Sequence, residues 1–178
     1  MKKKRRITRS IILATLFVAI VYTIYTSSTK EKVSVLQVGD VAPNFELMGL
    51  DGKVYRLSDY TSQGKGVFLN FWGTWCEPCE REMPAMERQY HNYAGQDFEM
   101  IAVNIAQSEL EVANYVKEMG MSFPVVIDTN KSVLTAYNIT PLPTTILINP
   151  EGKVHHIAIG EMTDQSIATY IESIIPAS

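Results

Sequence analysis

The sequence predicts an α/β domain, a mixed central sheet flanked by helices, and three observations lead to that prediction. The run Gly66-Val67-Phe68-Leu69-Asn70-Phe71-Trp72 is strongly apolar, too short for a helix and bounded by glycines, which marks a buried strand. Directly beyond it the apolar spacing changes: Cys79, Met83, Met86, Tyr90 and Tyr93 step by four and three, one face of an amphipathic helix. Strand-like and helix-like segments then alternate to the C-terminus, as in a sheet covered on both faces.

From the N-terminus, the first ten residues carry six basic side chains, Lys2, Lys3, Lys4, Arg5, Arg6 and Arg9, and no acid. The twenty residues from Ser10 to Thr29 carry no charge. That is long enough for a bilayer, which takes about 17–25 residues. A basic block, an apolar run and then polar Thr26-Ser27-Ser28-Thr29 fit a signal peptide or an uncleaved anchor. No Ala-x-Ala cleavage site is present, which favours the anchor, and no cysteine ends the run for lipid attachment. Either way the basic block places the N-terminus in the cytoplasm and the body outside the cell membrane. Residues 1–29 are therefore expected to be the basic N-terminus and single-pass anchor, 30–38 a linker and 39–178 the folded domain.

Within the domain, Phe45-Glu46-Leu47 and Val54-Tyr55-Arg56-Leu57 flank Asp51-Gly52 and predict a β-hairpin. A helical turn is expected at Leu57 to Tyr60, and the central strand follows the Ser62-Gln63-Gly64-Lys65-Gly66 loop. Beyond the cysteine helix, strands are expected at Phe98 to Ile105 and Phe123 to Ile127, around a helix at Glu109 to Met119. A short helix around Val133 to Tyr137 precedes a strand at Thr144 to Ile148. The turn signal Asn149-Pro150-Glu151-Gly152 leads to a return strand at Val154 to Ile159, and Asp164 to Ile175 closes the chain as a helix.

With 178 residues, 46% of them apolar, the chain can build one core and carry an appendage. Its formal charge of −3 conceals an asymmetry: beyond the first ten residues, ten basic groups face 19 acidic ones. An acidic body argues against nucleic-acid binding.

Cys76 and Cys79 lie where the strand ends and the helix begins. Unpaired N–H groups and the helix dipole there favour a thiolate. The spacing lets the second thiol attack a mixed disulfide formed by the first, so Cys76 is expected to be the exposed attacking sulfur and Cys79 the buried resolving one. The plainer alternative, a stabilising disulfide, would close only a very short loop and gain little chain entropy. Zinc would need two more ligands; there is no third cysteine, and His155 and His156 would point to opposite faces of a strand. Glu82 falls near the edge of the stripe defined by Cys79 and Met86. A carboxyl beside apolar surface has a raised pKa, which suits proton exchange with thiols, though an ordinary half-solvated helix Glu is the simpler reading. Pro84 is expected to kink the helix. Trp72 is expected in the core or site wall and Trp75 exposed for partner contact.

Phe71-Trp72-Gly73-Thr74-Trp75-Cys76-Glu77-Pro78-Cys79 resembles the Trp-Cys-x-Pro-Cys active site of the thioredoxin superfamily, and Pro143-Thr144-Thr145 resembles its cis-proline turn. The N-terminal hairpin and the central insertion, roughly Glu109 to Asp128, look like the membrane-anchored branch devoted to cytochrome c maturation. The resemblance covers the whole chain. It implies a thioredoxin-like fold and catalysis by Cys76 and Cys79 with Glu82 tuning the pair. It implies substrate contacts at Trp75, Glu77, Pro78, Leu142, Pro143 and Thr144. It implies apocytochrome c as the protein disulfide substrate, a CcdA-type membrane thiol donor, and no bound cofactor or metal. Asn70 stands where cytoplasmic thioredoxins carry a buried aspartate. A sister reductase serving spore-envelope assembly or general disulfide reduction would share these features. A thiol peroxidase shares the hairpin but uses Pro-x-x-x-Thr-x-x-Cys, and the proline is missing here.

Overall fold

The structure, a computed structural model, describes residues 12–23 and 35–176. It divides into two units, Met1–Ser34 and Val35–Ser178. In the first, residues 12–23 are helical (α1) with every side chain exposed. Among the described residues no helix is long and apolar enough to cross a membrane. The basic block and the remainder of the expected anchor lie outside the described residues.

The second unit opens with an antiparallel hairpin, β1 (Glu46–Met48) and β2 (Val54–Arg56). Asp51-Gly52 closes it within a longer connection than a two-residue turn. The Gly52 N–H donates to the Gly49 carbonyl at 3.0 Å, and the Gly49 N–H to that of Lys53 at 2.8 Å. Gly52 has φ +78°, a conformation that favours glycine.

The main sheet contains β3 (Gly66–Trp72), β4 (Phe98–Ile105), β5 (Val125–Asp128), β6 (Thr144–Ile148) and β7 (Val154–Ile159), in the order β5-β4-β3-β6-β7. β3, β4 and β5 are parallel neighbours, and β6 runs antiparallel to both β3 and β7. The helices are α2 (Leu57–Thr61), α3 (Glu77–Asn92), α4 (Glu109–Met119), α5 (Ser132–Ala136) and α6 (Asp164–Ile174). β5 begins two residues later than expected, after Pro124, which has no N–H to give a ladder. α3 continues through Pro84 without a break; Pro84 and Glu80, whose carbonyl the proline deprives of its usual partner, are both exposed.

The two-residue period of β3 sorts its side chains onto two faces. Val67, Leu69 and Phe71 join a cluster with Ile101, Val103, Ile146 and Ile148. Phe68 and Trp72 join the other, with Met83 and Met86 of α3, Val112 of α4, and Ile167 and Ile171 of α6. Each large side chain sealed in this way stabilises the fold by about 1.5–3 kcal/mol. Asn70 shares the parity of Phe68 and Trp72, so the one polar side chain of β3 points beneath α3.

Candidate active site

β3 delivers the chain to a tight turn, in which the Cys76 N–H donates to the Gly73 carbonyl at 3.1 Å. Cys76 is the N-cap of α3, in extended conformation, and its carbonyl accepts from the Glu80 N–H at 3.1 Å to start the helix. Pro78 fits the first turn because it needs no hydrogen-bond partner there. Cys76 and Cys79 are joined by a disulfide, with Cα atoms 5.2 Å apart. Cys79 is fully buried, and Cys76 is only 5% exposed rather than the open sulfur expected from sequence. Bonded to Cys79, it is drawn into the apolar cluster that holds Trp72 and Met83. Trp75 is 67% exposed, so an aromatic surface stands beside the sulfurs.

Glu82 lies one turn along α3 from Cys79, on the same face. It is 1% exposed. One carboxylate oxygen accepts from Asn70 Nδ2 at 2.9 Å and the other from the Met162 N–H at 3.1 Å. Burial pushes its pKa up to about 7; the two hydrogen bonds oppose that rise and the Glu161 charge adds to it. Asn70 Nδ2 also donates to Thr145 Oγ1 at 2.9 Å, while Asn70 Oδ1 has no partner among the described residues.

The Leu142–Pro143 bond is cis. β6 pairs Thr144 with Phe71, which brings the proline turn to the end of β3, where the cysteine turn starts. Pro143 and Thr144 are buried and Leu142 is half-buried. The Thr144 hydroxyl donates to the Pro141 carbonyl at 2.8 Å, and the Pro143 carbonyl accepts from the Gly160 N–H at 2.9 Å. Glu77 is exposed and pairs with Arg81 at 2.8 Å, which also pairs with Glu161 at 2.8 Å.

Sequence reasoning missed a clamp on the cysteine turn. Gln107 Oε1 accepts from the Thr74 N–H and from Asn104 Nδ2, each at 2.8 Å, and Gln107 Nε2 donates to Thr74 Oγ1 at 2.6 Å and to Glu111. The only legible signal was Ser108-x-x-Glu111, a capping-box spacing that locates the start of α4 but not what the preceding residue holds. Trp72 is fully buried and its ring lies 5.2 Å from that of Tyr115, so it walls the site from within.

A dithiol at the mouth of a helix, on a sheet of this order and beside a buried acid, defines a thiol–disulfide oxidoreductase of the thioredoxin-like class. Comparison with known proteins agrees. The AhpC/TSA family matches residues 38–157. Thiol-disulfide oxidoreductase ResA of Bacillus subtilis (strain 168) is 50% identical over 177 residues, 99% of this chain and 97% of the relative. ResA of Geobacillus kaustophilus (strain HTA426) is 51% identical over 98% of this chain and 99% of its own. The chain belongs to the AhpC/TSA family and, within it, to the ResA thiol–disulfide oxidoreductases. Among solved structures, thiol:disulfide interchange protein DsbE from Chlorobium tepidum matches with TM-score 0.72 and 30% identity, over 78% of this chain and 98% of that one. StoA from Bacillus subtilis matches with TM-score 0.65 and 26% identity, over 73% and 97%.

Proposed function

We propose that this oxidoreductase reduces the disulfide of the haem-binding Cys-x-x-Cys-His of apocytochrome c, outside the cell membrane, tethered by its N-terminal segment and recharged by a CcdA-type membrane thiol carrier. In the reduced enzyme the Cys76 thiolate attacks one sulfur of the substrate disulfide and expels the other as a thiolate. Cys79 then attacks Cys76 in the mixed disulfide, releasing the second substrate sulfur and closing the Cys76–Cys79 bond. Two electrons pass to the substrate, and the two protons its thiols take up are matched by the two that the enzyme's thiols lose. The donor reverses the bookkeeping on the enzyme, reopening the disulfide found here.

The observation that carries this reading is the buried Glu82 carboxyl one turn from Cys79. With a pKa near 7 it can take or give a proton at working pH, next to sulfurs that must change protonation as they change oxidation state. The choice of client rests on the resemblance of the anchor, hairpin, insertion and Cys-Glu-Pro-Cys sequence to the cytochrome c maturation branch. The six basic residues ahead of an uncharged run support the placement outside the membrane. Deletion of the gene should abolish covalent haem attachment to c-type cytochromes, and an added small thiol should restore it. Normal haem attachment in the deletion strain would overturn the choice of client while leaving the disulfide chemistry in place.

A further inference from the structure

At the opposite end of the sheet from the cysteines lies a cavity of about 620 Å³ that the redox chemistry does not use. Glu99, the second residue of β4, pairs with Val67, the second of β3. The five strand steps from there to Trp72 place the cavity about 17 Å from where the cysteine turn begins. Glu99 lines it together with three tyrosines: Tyr55 from β2, Tyr60 from α2 and Tyr90 from the last turns of α3.

Glu99 is partly buried, and its one hydrogen bond is to the adjacent Met100 N–H at 3.1 Å. Among the described residues no cation lies within ion-pair distance of it. Lys53, on the rim, is engaged by Asp51 at 3.0 Å. Lys65 lines a smaller neighbouring cavity of about 270 Å³ that shares Glu99 and Tyr90, and its charge acts on the Glu99 carboxyl without forming an ion pair with it. Burial raises the pKa of each tyrosine, Asp51 adds to the rise at Tyr55, and the Glu99 charge contributes in all three, so the phenols stay neutral beside the Glu99 carboxylate. None of these rings stacks on another. Tyr90 is instead braced edge-on against Phe123, at 6.0 Å between centroids, and Tyr55 is fixed by its hydroxyl's bond to Asp51 at 3.0 Å. The rings are held apart around an acid that has no ion-pair partner in contact with it, an arrangement in which cation–π attraction and a charge-assisted hydrogen bond act on the same ligand atom. Val116 and Phe123 continue the wall as apolar surface.

We propose that this cavity binds a primary alkylammonium group, the cation at the Glu99 carboxylate among Tyr55, Tyr60 and Tyr90, and its aliphatic chain along Val116 and Phe123. The chemistry is that of a lysine side chain or of a free aliphatic amine. The test is a ¹⁵N NMR titration of the full-length oxidised protein in nonionic detergent, using n-pentylammonium chloride as probe and n-pentanol as its neutral isostere. Pentylammonium should shift the amides of Glu99, Met100 and Ser122 saturably, with pentanol weaker by about tenfold or more. Glu99→Gln should weaken the cation by a similar factor and leave pentanol unchanged, while reducing insulin disulfides at the wild-type rate, which shows that the fold is intact. Saturation of the same amides by Nα-acetyl-lysine methylamide would assign the site to a protein side chain; saturation by pentylammonium alone would assign it to free amines. Pentanol binding as tightly as pentylammonium, or a Glu99→Gln variant with unchanged affinity for the cation, would overturn the proposal.

Discussion

Burial holds Glu82 near pH 7 where an exposed carboxyl would sit near 4.5, and that difference ties the site to stability. Between those values the folded chain keeps a proton that the unfolded chain has released. Stability is therefore unaffected below about pH 4.5, falls as pH rises towards 7, and stays at the lower level above it, by about 3 kcal/mol for a shift of this size. Glu82→Gln removes the ionisation but keeps the shape. The unfolding free energy of the variant relative to wild type, from urea denaturation at pH 4, 6 and 8, should increase by about 3 kcal/mol across the series. With the disulfide reduced, the variant's thiols should also alkylate faster at a given pH above 7, because no carboxylate charge opposes the thiolate. Parallel stability curves and superimposed alkylation profiles would make Glu82 an ordinary helix residue. Asn70 can serve either protonation state. Its Nδ2 donates to the carboxylate as seen, and a half-turn of the amide would offer the unpartnered Oδ1 to a protonated Glu82. Helical spacing made Glu82 legible, since it follows Cys79 by three residues. Its partners were not: Asn70 is 12 residues away and Met162 is 80, joined to it only by the fold.

α3 is the element on which the sulfurs acquire different roles. Cys76 caps it from outside the helix, whereas Cys79 lies in the first turn with its side chain in the core. In the disulfide both sulfurs are sealed, but Cys76, outside the helix, can be freed to a client by a shift of the turn that precedes it, whereas reaching Cys79 first would mean lifting the helix start. Cys79→Ala should accumulate a mixed disulfide between Cys76 and its client, visible on non-reducing gels, and Cys76→Ala should trap little. Equal trapping by the two variants would sink this division of roles. α3 was readable because its stripe of apolar residues and the apolar run of β3, interrupted only at Asn70, have different periods on either side of one glycine. The hairpin was readable too, but not its connection, because Asp51-Gly52 suits more than one turn geometry and the Gly49–Lys53 pairing decides between them. The Gln107 clamp on Thr74 was invisible for another reason. A glutamine in a loop is compatible with any partner or none, and only the crossover from β4 to α4 brings it to the cysteine turn.

At the scale of the molecule, the sheet keeps two activities apart. Its β3 end carries the redox pair and the proline turn, and its opposite end carries the tyrosine-lined cavity. The parallel trio β5-β4-β3 follows from helical crossovers between strands, and the antiparallel β6–β7 pair from the Asn149-Pro150-Glu151-Gly152 turn, so the class of fold was legible. The order of the strands was not, since periodicity says which face a strand buries and not which neighbour it takes. For the N-terminal segment the proposed tether rests on charge and hydropathy in the sequence rather than on packing. Six basic residues before an uncharged run of twenty should stay in the cytoplasm, with Lys30 to Ser178 outside. In protoplasts carrying a C-terminally tagged chain, the tag should sediment with membranes, and external protease should remove it without lysis. A tag that survives external protease but is cut after lysis would put the domain in the cytoplasm. A tag found in the medium before protease is added would mean that the segment is cleaved, and that the enzyme works without the tether proposed here.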